Sequence, residues 1–243
     1  MIIFENTDVW GFDHALRGMR NPLASWDKSD SGVYGSSVGV KNYIIGEKDL
    51  ELCQKLIKGG PEHRKFLRQI FCSVDITAPL YWWKEAETYK VGTVANSCST
   101  MHTIHKKEFT LEDFSHEHLM IIDEDEYGNK DEKNLWYEGL RVVIDELNCA
   151  RYRYLQTKDK RYWYAMIQLL PSSYNQKRTL TMNYENLRNM YFQRRNHKLD
   201  EWREGFCGWV KTLDYAKELI IFEEDERAIN ILLSGLEHAD HEM

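Results

Sequence analysis

Residues 170–202, LPSSYNQKRTLTMNYENLRNMYFQRRNHKLDEW, constrain the fold more than any other stretch of the chain. They open with Leu170-Pro171, which ends the apolar run before them. Twelve residues after Pro171, Asn183 starts a strongly helical pattern, and Arg194 follows eleven residues later. Eleven residues are about three turns of α-helix, so Asn183 and Arg194 share one face. Leu187 and Met190 lie on or near that face. An apolar stripe with an amide at one end and a guanidinium at the other can bind something flat and anionic. The competing reading is an amphipathic surface helix whose arginine is solvated.

The rest of the composition bounds what such a helix can belong to. The chain has 243 residues, 42% of them hydrophobic and 13% aromatic, with only four prolines, enough for a real core. A net charge of −7 argues against a general nucleic-acid coat, so any anion site is a local positive pocket. No run of 18 apolar residues exists, so no membrane span is expected. The polar, acidic N-terminus does not read as a secretion signal. The five cysteines (Cys53, Cys72, Cys98, Cys149 and Cys207) form no CxxC pair, and the expectation is reduced thiols in a cytoplasmic protein.

Along the chain, residues 1–46 read as loops with one or two short strands or helices. The spacing of Leu50, Leu52, Cys53, Leu56 and Ile57 predicts a helix over 47–58 that Gly59-Gly60 ends. Residues 66–77 read as a strand. Pro79 interrupts it, and 80–88 begins a helix. Residues 92–107 are small, polar and loop-like, and 107–133 is acidic. Residues 134–155 are the clearest helix, 161–170 a second apolar run, 183–206 the long helix, and 209–222 its continuation. With no repeat and no Pro- or Ser-rich linker, the expectation is one α+β, helix-rich domain over 1–243, with 223–243 a charged tail.

Three sets of motifs bear on chemistry. There is no GxGxxG, GxxxxGK[ST] or GxSxG, so neither a Rossmann site, a P-loop nor a nucleophile elbow is supported. Cys98, His102 and His105 have helical spacing for a metal, but no fourth ligand stands nearby, and no metal is expected. Arg151-Tyr152-Arg153-Tyr154 and Arg161-Tyr162-Trp163-Tyr164 interleave bases and aromatics. They read either as a stacking surface for single strands or as a core stripe with snorkelling arginines, and the acidic balance favours the second, making nucleic acid a disfavoured partner.

The order of elements over roughly residues 15–215 resembles the flavin-dependent thymidylate synthases. A helix precedes a Gly pair, then comes a strand running into Ala78-Pro79-Leu80-Tyr81, a polar loop with Asn and Ser, a long helix, and the Leu-Pro and Asn-rich helix. The resemblance implies that family's helix-rich fold with a small antiparallel sheet, and a homotetramer whose FAD sites are built by several subunits. It implies methylation of a pyrimidine nucleotide, dUMP to dTMP, with carbon from methylenetetrahydrofolate and hydride from NADPH through the flavin.

It also implies residues. The family signature is Arg-His-Arg, seven residues, then Ser; counting back from Ser99 places Tyr89-Lys90-Val91 at Arg-His-Arg. Ser99 and Asn96 match the pattern, and Ser97 replaces a Glu. Met101 and Ile167 stand where two phosphate-holding arginines would be. Asn183 and Asn189 match flavin-contacting positions, Glu185 replaces an Arg, and Arg194 matches the arginine that contacts the uracil ring. The resemblance thus makes Arg194 and Ser99 the catalytic pair and Lys90, Asn96, Asn183 and Asn189 the cofactor-binding set. Two lost arginine–phosphate bonds of about 1.5–3 kcal/mol each would weaken dUMP roughly a hundred-fold or more. A diverged, non-catalytic homologue that binds another nucleotide or a protein partner is the alternative.

Overall fold

The computed structural model describes residues 2–35, 41–119, 121–124, 130–133 and 135–222. The charged tail expected over 223–243 lies outside the described residues. In chain order the elements are β1 (Ile3–Trp10), α1 (Phe12–Arg20), β2 (Gly32–Gly35), β3 (Lys41–Ile44), α2 (Glu47–Lys58), β4 (Phe71–Pro79), α3 (Leu80–Ala86), β5 (Val94–Ser97), α4 (Thr100–Thr103), β6 (Ile121–Glu124), β7 (Lys130–Lys133), α5 (Leu135–Thr157), α6 (Lys160–Leu169), β8 (Asn175–Asn183), α7 (Tyr184–Arg194) and α8 (Cys207–Val210). Tight helical turns at Arg64–Gln69 and wide ones at Glu201–Phe206 and Ala216–Ile220 complete them. Four strands form a sheet in the order β1-β4-β8-β5, and β2-β3 and β6-β7 are antiparallel ladders.

The chain divides into two compact units. The first takes the described residues of Met1–Glu5, Asp75–Thr88 and Ala95–Leu180. Its core joins Ile104, Phe109 and Phe114 to Leu140, Ile144, Leu147 and Ala150 of α5 and Met166 of α6, the α5 residues recurring at helical spacing. Asp159 caps α6 by accepting from the Arg161 amide at 2.9 Å. The helix stops just short of Pro171, as a residue before proline requires.

The second unit takes Asn6–Val74, Tyr89–Val94 and the described part of Thr181–Met243. Phe12 sits at its centre, edge-on to Tyr184 (5.8 Å) and Tyr215 (5.4 Å). Asp49, fully buried, ties this unit's first fifty residues together. Its carboxylate accepts from Arg20 Nε and from the Ser29 and Ser31 hydroxyls, each at 2.6 Å. Gly60, at φ +95°, supplies the left-handed residue that lets the chain turn after α2.

Four sequence expectations shift. The strand expected over 66–77 begins only at Phe71: Phe66 and Leu67 are buried from a helical turn, and the buried–exposed alternation starts with Cys72. Residues 92–107 contain β5 and the one-turn α4. β8 was not anticipated, although Leu180 and Met182 alternate as a strand does. The helix expected over 183–206 ends at Arg194, where the Arg195 amide closes on the Tyr191 carbonyl. The His197 ring then accepts from the Leu199 amide, turning the chain before Glu201–Phe206. Likewise 209–222 is broken by Tyr215 at φ +54°.

Candidate functional site

Helix α7 and the strip 89–93 form the candidate site within the second unit. Asn183 is the helix's N-cap: its side-chain oxygen accepts from the Asn186 amide at 2.9 Å. That cap fixes where α7 starts, and hence which side chains face the strip. Asn186 in turn donates its side-chain amide to the Val91 carbonyl. Gly92 passes so close that a Cβ there would lie 2.9 Å from Asn186 Oδ1 and 3.0 Å from Asn183 Nδ2, at φ +74°. Only glycine combines that approach with that backbone.

At the other end of the helix the strip and α7 meet again. Arg194 donates from Nε to the Tyr89 hydroxyl at 2.9 Å, and that hydroxyl donates to Gln193 Oε1 at 2.9 Å. The Arg194 guanidinium lies 5.4 Å from the Tyr89 ring centre and 4.8 Å from that of Trp202. Two aromatic rings thus hold one cation, each contact contributing about 0.5–1 kcal/mol or more as water is excluded. The His197 ring adds an edge-on contact to Trp202 at 6.3 Å.

Glu185, in the first turn of α7, is buried and does not face water as a bare charge. Arg64 donates from Nε to its two oxygens at 3.0 and 3.2 Å. Arg188, also buried, donates to the Ile220 carbonyl at 2.6 Å and lies 4.7 Å over Phe192. Asn189 is exposed on the outward face, and Lys90 is exposed on the strip.

Of the six residues the sequence put forward, Lys90, Asn183, Asn189 and Arg194 fall in this unit. The strip reaches Asn183 through Gly92 and Arg194 through Tyr89, but Asn183 spends its oxygen on the cap. Sequence reading missed Tyr89 as Arg194's partner, the contribution of Trp202, and Arg64 opposite Glu185. The basic run at 63–65 was the available signal for the last.

Asn96 and Ser99 belong to the first unit. Asn96 is exposed on β5. Ser99 is half-buried at the start of α4, where its carbonyl accepts from the Thr103 amide and hydroxyl. Met101 is half-exposed, and Ile167 packs against the core of α5 and α6. Cys98 is exposed, and His105 lies edge-on to Tyr154 at 5.1 Å. Among the described residues no group of three or more His, Cys, Asp or Glu side chains is placed to hold a metal ion. Arg151 donates to the His105 carbonyl, Tyr154 and Trp163 pack on the core, and Tyr152 and Tyr164 are exposed.

Two clefts of the second unit, of about 570 and 660 Å³, are lined by other residues, the first by Met19, Leu52, Leu56 and Phe66, the second by Trp10, Tyr43 and Tyr215. Among the described residues no helix is long and apolar enough to cross a membrane.

No protein-family model matches the chain, and no curated protein sequence does. Solved structures do. Thymidylate Synthase X (ThyX) from Helicobacter pylori, with FAD and dUMP, aligns at a TM-score of 0.60 and 16% identity, over 90% of this chain and 96% of that one. The UMP/dUMP methylase PolB from Streptomyces cacaoi, bound with 5-Br UMP, aligns at 0.57 and 14%, over 91% and 93%. In its complex with 5-Br dUMP the figures are 0.54 and 16%, over 91% and 95%. These likenesses establish the architecture, helix-rich with a small antiparallel sheet.

Proposed function

From the fold of the flavin-dependent thymidylate synthases, which this chain has, we propose that the protein is a flavoprotein acting on a pyrimidine nucleoside monophosphate, methylating dUMP or a close analogue. The observation that carries this reading is the fixed Arg194 guanidinium, held against the rings of Tyr89 and Trp202. An arginine so restrained loses little freedom when it meets a planar base, and it would stabilise negative charge developing on the ring. Arg194 is the pyrimidine contact.

The residues present fit FAD. Lys90 on the strip 89–93 and Asn189 on α7 are exposed and offer donors, and Asn183 sets the register of α7. Glu185, whose bare charge would repel a phosphate, is neutralised by Arg64. Bound FAD would supply the hydride carrier, with NADPH as reductant and methylenetetrahydrofolate as carbon donor. The protein works as a single domain assembled into a homotetramer, in the cytoplasm, with each site shared between copies.

The purified protein should carry the visible absorbance of a flavin, or acquire it with added FAD, and dUMP or UMP should raise its melting temperature. A colourless protein that takes up no FAD would sink this reading.

One observation favours a second reading, a non-catalytic homologue that binds another nucleotide or a protein partner. Met101 and Ile167 stand where phosphate-holding arginines are expected, and Ile167 is packed against a core. Rescue of a thymidine auxotroph would rule it out.

A further inference from the structure

Residues 58–68 are a basic stretch of an acidic chain: Lys58, His63, Arg64, Lys65 and Arg68 stand against one carboxylate, Glu62. His63, Lys65 and Arg68 are exposed and solvated. Arg64 differs, with a side chain only 15% exposed. Its Nε donates to both oxygens of the buried Glu185. Neither of its terminal nitrogens has a hydrogen-bond partner among the described residues.

A guanidinium has five N–H donors in a rigid fork, and here Glu185 engages only the Nε edge. Holding that edge aims the remainder of the fork. The free part of the fork is open to a ligand, and an acceptor that matches a fork with two oxygens is a phosphate. Asn189 lies four residues beyond Glu185, one turn along α7, with its carboxamide exposed.

We infer that Arg64 is a phosphate-binding residue, held in place by Glu185 and accompanied by Asn189. The inference rests on the preceding reading only for whose phosphate is bound, that of the flavin dinucleotide or that of the pyrimidine nucleotide.

The test is calorimetric titration of the full chain with FAD, riboflavin, dUMP, deoxyuridine and pyrophosphate. It compares wild type with the double variant Arg64→Gln/Glu185→Gln, which leaves no buried charge unpaired. A loss of roughly ten- to a hundred-fold in affinity is expected for the phosphate-bearing ligand. If the flavin phosphate is the target, FAD weakens and riboflavin does not. If the nucleotide phosphate is, dUMP weakens and deoxyuridine does not. Should the double variant fail to fold, Arg64→Lys, which keeps a cation for Glu185 but lacks the fork, must show the same phosphate-selective loss. Unchanged affinities in a folded variant overturn the inference. If wild type binds neither FAD nor dUMP, the functional reading fails. Arg64 then stands as a phosphate site if the wild type binds pyrophosphate and the variant does not, and falls if wild type ignores pyrophosphate.

Discussion

The Tyr89 hydroxyl lies 2.9 Å from Arg194 Nε, from which it accepts, and it passes its own proton toward Gln193. Tyr89 is thereby joined to the C-terminal end of α7, the helix that carries Asn189. Tyr89→Phe should remove both hydrogen bonds and keep the ring, costing about 0.5–1.5 kcal/mol in denaturant unfolding. Tyr89→Ala should also free the guanidinium and lower affinity for dUMP at least ten-fold beyond the Phe variant. Equal nucleotide affinity in the two variants would show that the ring does not position Arg194.

Gly92→Ala should be disproportionately harmful for so small a change. The methyl group would lie 2.9 Å from Asn186 Oδ1 and 3.0 Å from Asn183 Nδ2, inside ordinary contact, and alanine at φ +74° costs about 1–2 kcal/mol. A fall in melting temperature of about 2–8 °C is expected in a thermal scan. No fall would mean that the strip 89–93 is not seated on α7.

Asp49 should control stability in acid. Burial pushes its carboxyl pKa up, but the hydrogen bonds from Ser29, Ser31 and Arg20 outweigh it and hold the pKa below the ordinary 3.8. The folded carboxylate therefore binds protons less readily than the unfolded one. Its stabilisation is complete above about pH 4 and is lost as pH falls through the lower native value. Asp49→Asn strands Arg20 as a buried charge and should cost about 3–5 kcal/mol at neutral pH. Melting curves from pH 7 downward should show the gap between variant and wild type narrowing in acid.

Thiol labelling should separate the five cysteines. Burial pushes the Cys53 and Cys72 thiols up to about 12, and Cys207 is buried as well. Cys98 and Cys149 are exposed. An aromatic disulfide reagent should modify those two rapidly in the native protein and all five only after unfolding. Rapid native labelling of Cys53 would contradict the packing around α2.

The helices that end in local punctuation were the legible part of the fold. α2 stops at its Gly pair, α6 stops before Pro171, and α7 starts at Asn183 because each signal acts through a few neighbouring residues. What escaped depended on distant partners. The break after Arg194 is accompanied by contacts to Tyr89, some hundred residues earlier, and to Trp202, and no periodicity within 183–206 announces it. β8 was overlooked because a strand's weak alternation gains meaning only from its neighbours in the sheet. At the site, the start of α7 at Asn183 could be read from the pattern, while Arg64 could not. Its significance comes from facing Glu185 across 121 residues of sequence.

The carboxylate of Asp49 has a consequence beyond its acid titration. It gathers Arg20 at the end of α1, Ser29 and Ser31 from the connecting loop, and its own position on α2, while Asp30 accepts from the Lys48 and Asp49 amides. The connector at 21–31 cannot detach without parting both helices from a buried charge. Backbone amides across 12–58 should therefore exchange with deuterium at a common opening free energy rather than fraying piecemeal, and a protease aimed at the connector must wait for that shared opening.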